Sequence, residues 1–297
     1  MAFDRYPQPM SESVGVQSHH AALDLEGTDV SVRYLAAGEG SPVVLLHGIG
    51  LDSATVSWRH AMPALAADHR VYALDFPGHG ESDKPDAPYT SEYYRAALAA
   101  FLRQHDLEEA SLVGLSMGGG IALGHALESE MDPERLVLVD SYGLGGDAYW
   151  RPGASVALRT PFADGLFQGV GSSRAAVAES LRGLVGSTDL DPEFVEDVYE
   201  AVQDDRVGRA LQRWQRSEFG FTGLKTDYSD RLGELDVPTL FAHGAEDSLL
   251  PASWSVEAAE ATPGAELRIF EETGHWPPRE RPDAFTSAID GFLTRES

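Results

Sequence analysis

No cysteine occurs anywhere in the 297-residue chain. Disulfides, thiolate metal sites and a thiol nucleophile are therefore excluded, and nothing calls for an oxidising compartment. Lysine is almost missing too. Only Lys84 and Lys225 are present, and 22 basic residues face 48 acidic ones for a net charge of −26. A surface so acidic repels nucleic acid and anionic membranes, because binding to either polyanion depends on clustered Lys and Arg. Neither is expected as a partner. No apolar run approaches the roughly 18 residues needed to span a bilayer, and residues 1–20 lack the basic start and apolar stretch of a secretory signal. The expectation is a soluble, cytoplasmic protein whose partner is a small molecule, with homo-oligomer formation left open.

An acidic, lysine-poor composition resembles that of proteins from salt-accumulating, halophilic cells. Like-charge repulsion opposes the compact state, and added salt screens it, the Debye length falling from about 10 Å at 0.1 M to about 3 Å at 1 M. The melting temperature is thus expected to rise with KCl concentration. A thermal melt that is flat or falling across that range removes the halophilic reading.

What is present is a large apolar fraction, 42%, enough to bury one substantial core. Residues 21–26 and 30–36 are short β-prone runs around Gly27-Thr28-Asp29 and read as a hairpin. Pro42 to His47 is a continuous apolar run, the pattern of a strand buried on both faces. Similar runs recur at 71–74, 110–115, 136–139, 238–241 and 266–270, with helical patterns between most of them. Alternation of this kind predicts an α/β domain with a mainly parallel sheet. It breaks over 141–228, where helical patterns follow one another without a strand; Asp191-Pro192 reads as the start of one. An insertion so long predicts a helical cap over the C-terminal edge of the sheet. The expected organisation is an N-terminal extension over 1–20, open to disorder, a core from 21–140 and 229–297, and a cap over 141–228.

Gly114-Leu115-Ser116-Met117-Gly118 places a hydroxyl between glycines where an apolar strand gives way to a helix-like segment. It matches the G-x-S-x-G nucleophile elbow, a motif of little specificity without that context. A serine hydroxyl is a poor nucleophile at neutral pH and needs a base, which in turn needs a group to orient it. Asp247 follows the run 238–241 and His275 follows the run 266–270, so both would reach the same sheet edge as Ser116. Glu246 is an alternative acid, and Asp140, after the run 136–139, is a second. His47, His79 and His243 sit at strand ends or loops where structural hydrogen bonding is the simpler role, and His125 falls in the helix after the elbow. No H-x-x-x-H spacing marks a metal site, and no cofactor is implied.

At these residues the chain resembles the α/β-hydrolase fold superfamily, from about Ala21 to Leu293 outside the cap. His47-Gly48-Ile49-Gly50 is similar to its oxyanion loop, Asp75 to Ser82 to its D-x-P-G-H-G-x-S loop, Gly244 to Asp247 to its acid loop, and Gly274-His275 to its histidine loop. The resemblance implies a Ser116, Asp247, His275 triad and an oxyanion hole formed by the backbone N–H groups of Met117 and Ile49, with Gly48 as the alternative to Ile49. Serine at the elbow disfavours the dehalogenase and epoxide hydrolase branches, which carry aspartate there. The leading expectation is a carboxylic ester hydrolase acting through an acyl-enzyme. A second is a hydrolase of carbon–carbon bonds in ring-fission products of aromatic degradation, which such enzymes resemble in the tryptophan after the histidine, here Trp276. Those enzymes usually carry asparagine where Leu115 stands, and a cap arginine that Arg151, Arg159, Arg174 or Arg182 would supply. A third is a small-molecule receptor with a vestigial triad. Trp276, Trp150, Phe162, Phe167 and Trp214 are candidate pocket residues.

Overall fold

The computed structural model describes residues 15–146, 160, 169–187, 189–220 and 223–295. Eight strands form one sheet in the order β1-β2-β4-β3-β5-β6-β7-β8. They are β1 (Gln17–Leu25), β2 (Thr28–Ala37), β3 (Ser41–Leu46), β4 (His69–Leu74), β5 (Ser111–Leu115), β6 (Leu136–Val139), β7 (Thr239–Gly244) and β8 (Glu266–Phe270). From β4 to β8 all neighbours run parallel, while β2 joins antiparallel to both β1 and β4.

Alternate residues of the central strands feed two separate cores, as the two-residue period of a strand requires. Val44, Leu46, Leu112, Leu136 and Leu138 enter one with the helices α3 (Ser91–Gln104) and α4 (Met117–Glu128). Val43, Leu45, Val113, Leu115, Val137 and Val139 enter the other. There they meet α1 (Ala54–Trp58), α2 (Ala61–Leu65) and a C-terminal helix over Pro282–Leu293. Burial on both faces is why these strands read as unbroken apolar runs.

The opening hairpin differs from expectation. Leu25 pairs with Thr28, so the turn is only Glu26-Gly27, with φ of 56° and 81°. Positive φ at both central residues matches the twist of the flanking strands. Strand β1 also begins at Gln17, inside the expected N-terminal extension, because its first four residues are not buried and leave no apolar alternation to read.

Between β6 and β7 the described residues form α5 (Arg174–Arg182), α6 (Pro192–Ala201), α7 (Asp205–Glu218) and a 3₁₀ turn, Ser229–Glu234. Asp191 caps α6 by accepting from Glu193 N, with Pro192 in the first turn. Helix α7 lies across the loops that follow β3 and β4: a Cβ on Gly50 would stand 3.0 Å from Leu211, and one on Gly78 2.7 Å from Ala210. Buried Asp197 of α6 ties the insertion to the core through Arg59 at 2.9 Å and Arg279 at 2.7 Å. No helix among the described residues is long and apolar enough to cross a membrane.

Candidate active site

Ser116, Asp247, His275 and the loop of Ile49 each stand beyond the C-terminal end of a parallel strand, where strand ends in an open α/β sheet leave a crevice. Ser116 follows β5 directly and adopts φ 54°, ψ −117°. So strained a backbone costs a non-glycine residue on the order of 1–3 kcal/mol, and the surroundings enforce it. Ser116 N donates to Val139 O at 2.9 Å, and its carbonyl accepts from Gly120 N and Tyr142 N. The flanking glycines are sterically required: a Cβ on Gly114 would lie 2.4 Å from Gly118 O, and one on Gly118 would lie 2.4 Å from Leu46 O.

His275 Nδ1 donates to Asp247 Oδ2 at 2.7 Å. Asp247 accepts from Leu249 N and Leu250 N through its other oxygen, which fixes the carboxylate. Because a carboxylate only accepts, the His275 proton sits on Nδ1 and Nε2 is left as a base. Burial disfavours charge on His275, but Asp247, with lesser help from Asp52 and Glu280, holds its pKa above the ordinary histidine value of 6.5. For Asp247, burial pushes up and the charges of His275 and His243 more than offset it, leaving the group below the usual carboxylate range. Glu246 is exposed, and Asp140 meets His243 instead of His275. Of the three acids weighed, only Asp247 touches the ring. No hydrogen bond joins Ser116 Oγ to His275 among the described residues; such bonds often tighten only when substrate is bound.

Gly48 N is already engaged by Asp52 Oδ2 at 2.7 Å, which removes it as an oxyanion donor. The N–H groups of Ile49 and Met117 meet no acceptor among the described residues. Two histidines shape the loop that carries Ile49. His47 Nε2 accepts from Phe76 N at 3.0 Å, and His79 Nε2 accepts from Gly50 N at 3.3 Å. Burial lowers their pKa values to about 4 and about 3, so both are neutral and structural.

Residues 41–282 match the sequence model of the alpha/beta hydrolase fold. The chain belongs to the alpha/beta hydrolase fold family. The 2-hydroxymuconate semialdehyde hydrolase of Pseudomonas sp. strain CF600 is 32% identical over 265 residues, covering 86% of this chain and 88% of its own. The 2-hydroxy-6-oxo-6-(2'-aminophenyl)hexa-2,4-dienoic acid hydrolase of Metapseudomonas resinovorans is 30% identical over 298 residues, covering 97% and 96%. Among solved structures, a thermophilic esterase from Thermogutta terrifontis superposes with a TM-score of 0.76 at 25% identity, covering 93% of this chain and 98% of that one.

Two acids of this alpha/beta hydrolase escaped the sequence reading. Asp52, 1% exposed, accepts from Gly48 N, Ser53 N and Ser57 Oγ, and Trp276 Nε1 in turn donates to Ser57 Oγ at 3.1 Å. Burial raises its pKa to about 6, against the pull of those donors. Glu280 accepts from Gly274 N, Trp276 N and Gly186 N at 2.8–3.1 Å and so brackets His275. Neither belongs to a local motif; the only signal was the Glu in the run after His275. Glu280→Ala leaves these N–H groups without an acceptor, at about 1–3 kcal/mol each when buried. It is expected to lower kcat about tenfold or more, with Glu280→Gln recovering part of the loss, as read in steady-state assays. Wild-type kcat in both variants ends the bracketing argument.

Of the candidate pocket residues, Trp276 is buried between the His275 ring and Phe194, with ring centroids 5.7 and 5.5 Å away. Trp214 packs edge-on to Tyr142 at 5.1 Å. Trp150, Phe162 and Phe167 lie outside the described residues, as do Arg151 and Arg159. Arg174 pairs with Glu196 and Arg182 with Glu179, both on the exposed surface.

Proposed function

We propose that this chain is a serine hydrolase that cleaves a carbon–carbon bond in a vinylogous 1,5-diketone, a product of aromatic ring fission. The observation that carries this reading is the pair of dienoate and semialdehyde hydrolases, alike over at least 86% of both chains. It replaces ester cleavage as the leading expectation, which the same residues would also perform.

In this mechanism the substrate's dienol first becomes its keto tautomer. Ser116 Oγ attacks the ketone carbonyl while His275 Nε2 takes its proton, and the N–H groups of Met117 and Ile49 receive the developing oxyanion. Removing one such donor typically costs about 3 kcal/mol in the barrier. The carbon–carbon bond then breaks, its electrons passing into the conjugated enolate, which takes up the proton. Water, activated by His275, releases the acyl group from Ser116. Conjugation is what makes carbon a tolerable leaving group, so an isolated ketone is not a substrate.

Leu115, where asparagine is usual in such hydrolases, is fully buried in the core and offers the site no polar group. The ester reading is kept as a second because of the Thermogutta esterase. Parallel assays with 2-hydroxy-6-oxo-hexa-2,4-dienoates and p-nitrophenyl esters separate the two. The dienoate is expected to give the higher kcat/KM by about tenfold or more, a barrier difference of about 1.4 kcal/mol. Ester turnover with an inert dienoate reverses the assignment.

A further inference from the structure

Two imidazoles meet at one carboxylate oxygen. Asp247 Oδ2 receives His275 Nδ1 at 2.7 Å and lies 3.4 Å from His243 Nε2. His243 is fully buried at the end of β7, and the same nitrogen is 3.1 Å from Leu250 O and 3.4 Å from Asp140 Oδ1. A carbonyl only accepts, so Nε2 carries a proton. Nδ1 faces Ser255 Oγ at 2.7 Å. A hydroxyl either donates or accepts, so the ring can become a cation without losing a hydrogen bond.

The charges in this pocket must balance. Asp247 has to be ionised to hold His275 in its tautomer, and His275 has to be neutral to act as a base. An ionised carboxylate buried without a counter-charge is costly. Among the described residues no lysine or arginine makes an ion pair with Asp247 or Asp140. The remaining acids nearby, Glu280 and Asp52, add negative potential at His275, and Glu280 adds it at Asp140. Among the described residues, His243 is the one left to supply the positive charge. We propose that His243 is a positioning residue of this site: a resident buried imidazolium that is the counter-charge to Asp247 while His275 stays neutral.

The energetics agree with that geometry. Burial opposes charge on His243, but Asp140 and Asp247 outweigh it and raise its pKa above the ordinary histidine value. Burial also pushes the Asp140 carboxyl well up, and its Oδ2 meets no partner. The Asp140 and Asp247 carboxylates both face His243 Nε2, each at 3.4 Å.

This inference rests on the Ser116, His275, Asp247 reading but on no particular substrate, and its test is independent of substrate. The rate of covalent labelling by a fluorophosphonate is followed against pH in the parent and in His243→Gln. Glutamine keeps an N–H donor without a charge. Loss of the nearby cation makes His275 easier to protonate, so the acid limb of labelling is expected to move to higher pH, with the rate at the plateau down about tenfold. A purely structural role would reduce the amount of active protein and leave the midpoint in place. An unmoved midpoint in folded His243→Gln overturns the proposal. Should that variant not fold, nitrogen-15 NMR of the parent decides: His243 is expected to be an imidazolium at about pH 7.5 with His275 neutral, and a neutral His243 ring overturns it. If the parent is not labelled at Ser116 at any pH, the triad reading itself falls.

Discussion

Ser116→Ala is expected to lower kcat by about 10⁴- to 10⁶-fold, to the level sustained by binding and the oxyanion donors alone. The loss should be the same for ester and diketone substrates, since both begin with attack by the same oxygen. KM should change little, because the serine contributes to the transition state more than to binding. The fold should survive: the elbow is held by Ser116 N donating to Val139 O and by its carbonyl accepting from Gly120 N and Tyr142 N, all backbone contacts that alanine keeps. Steady-state rates, with fluorophosphonate labelling and peptide mapping of the parent, make the comparison. Residual activity above about one hundredth of the parent, far beyond what such a deletion leaves, would assign the nucleophile elsewhere.

Asp247→Asn is the second large effect, expected at about 10³- to 10⁴-fold in kcat. An amide can turn its N–H toward Nδ1, which selects the tautomer with the proton on Nε2 and leaves no base facing Ser116. A pH signature accompanies the loss. In the parent, His275 is raised by Asp247 despite burial, so activity should fall as the pH drops through a value above the ordinary histidine value of 6.5. Removing the carboxylate charge destabilises the imidazolium, and the acid limb should move to lower pH. The linked stability has a definite sign: the His275 to Asp247 attraction is fully present below the unfolded histidine pKa and is lost as pH rises through the raised folded value. A pH–rate profile of the variant checks the direction, and an acid limb that moves up contradicts the assignment of Asp247 as the orienting group. Asp140 is unable to take over, because it reaches His243 and not His275.

Much of this could be read without coordinates because it depends on local pattern. Strands buried on both faces appear as runs such as Pro42 to Leu46, and the elbow appears as Gly114 to Gly118 because tight backbone contact forbids a Cβ at both ends. Where burial is one-sided or lacking the reading slipped, as at Gln17 to His20 of β1. The oxyanion loop register was open between Gly48 and Ile49. The carboxylate of Asp52 engages Gly48 N, a contact between near neighbours in the chain that no motif announces, and this favours Ile49 in the proposed oxyanion hole.

Sequence alone determined the element order, the strand ends from which Ser116, Asp247 and His275 project, and the order of those three along the chain, since each follows from periodicity and turn chemistry within a few residues. Tertiary structure alone decided which acid meets the histidine, which N–H groups remain unpaired, and that Asp52, Glu280 and His243 surround the site. Those outcomes depend on distances between residues as far apart as Asp140 and Gly244 or Gly186 and Glu280, and buried charge is governed by everything within a few ångströms, whatever its place in the chain.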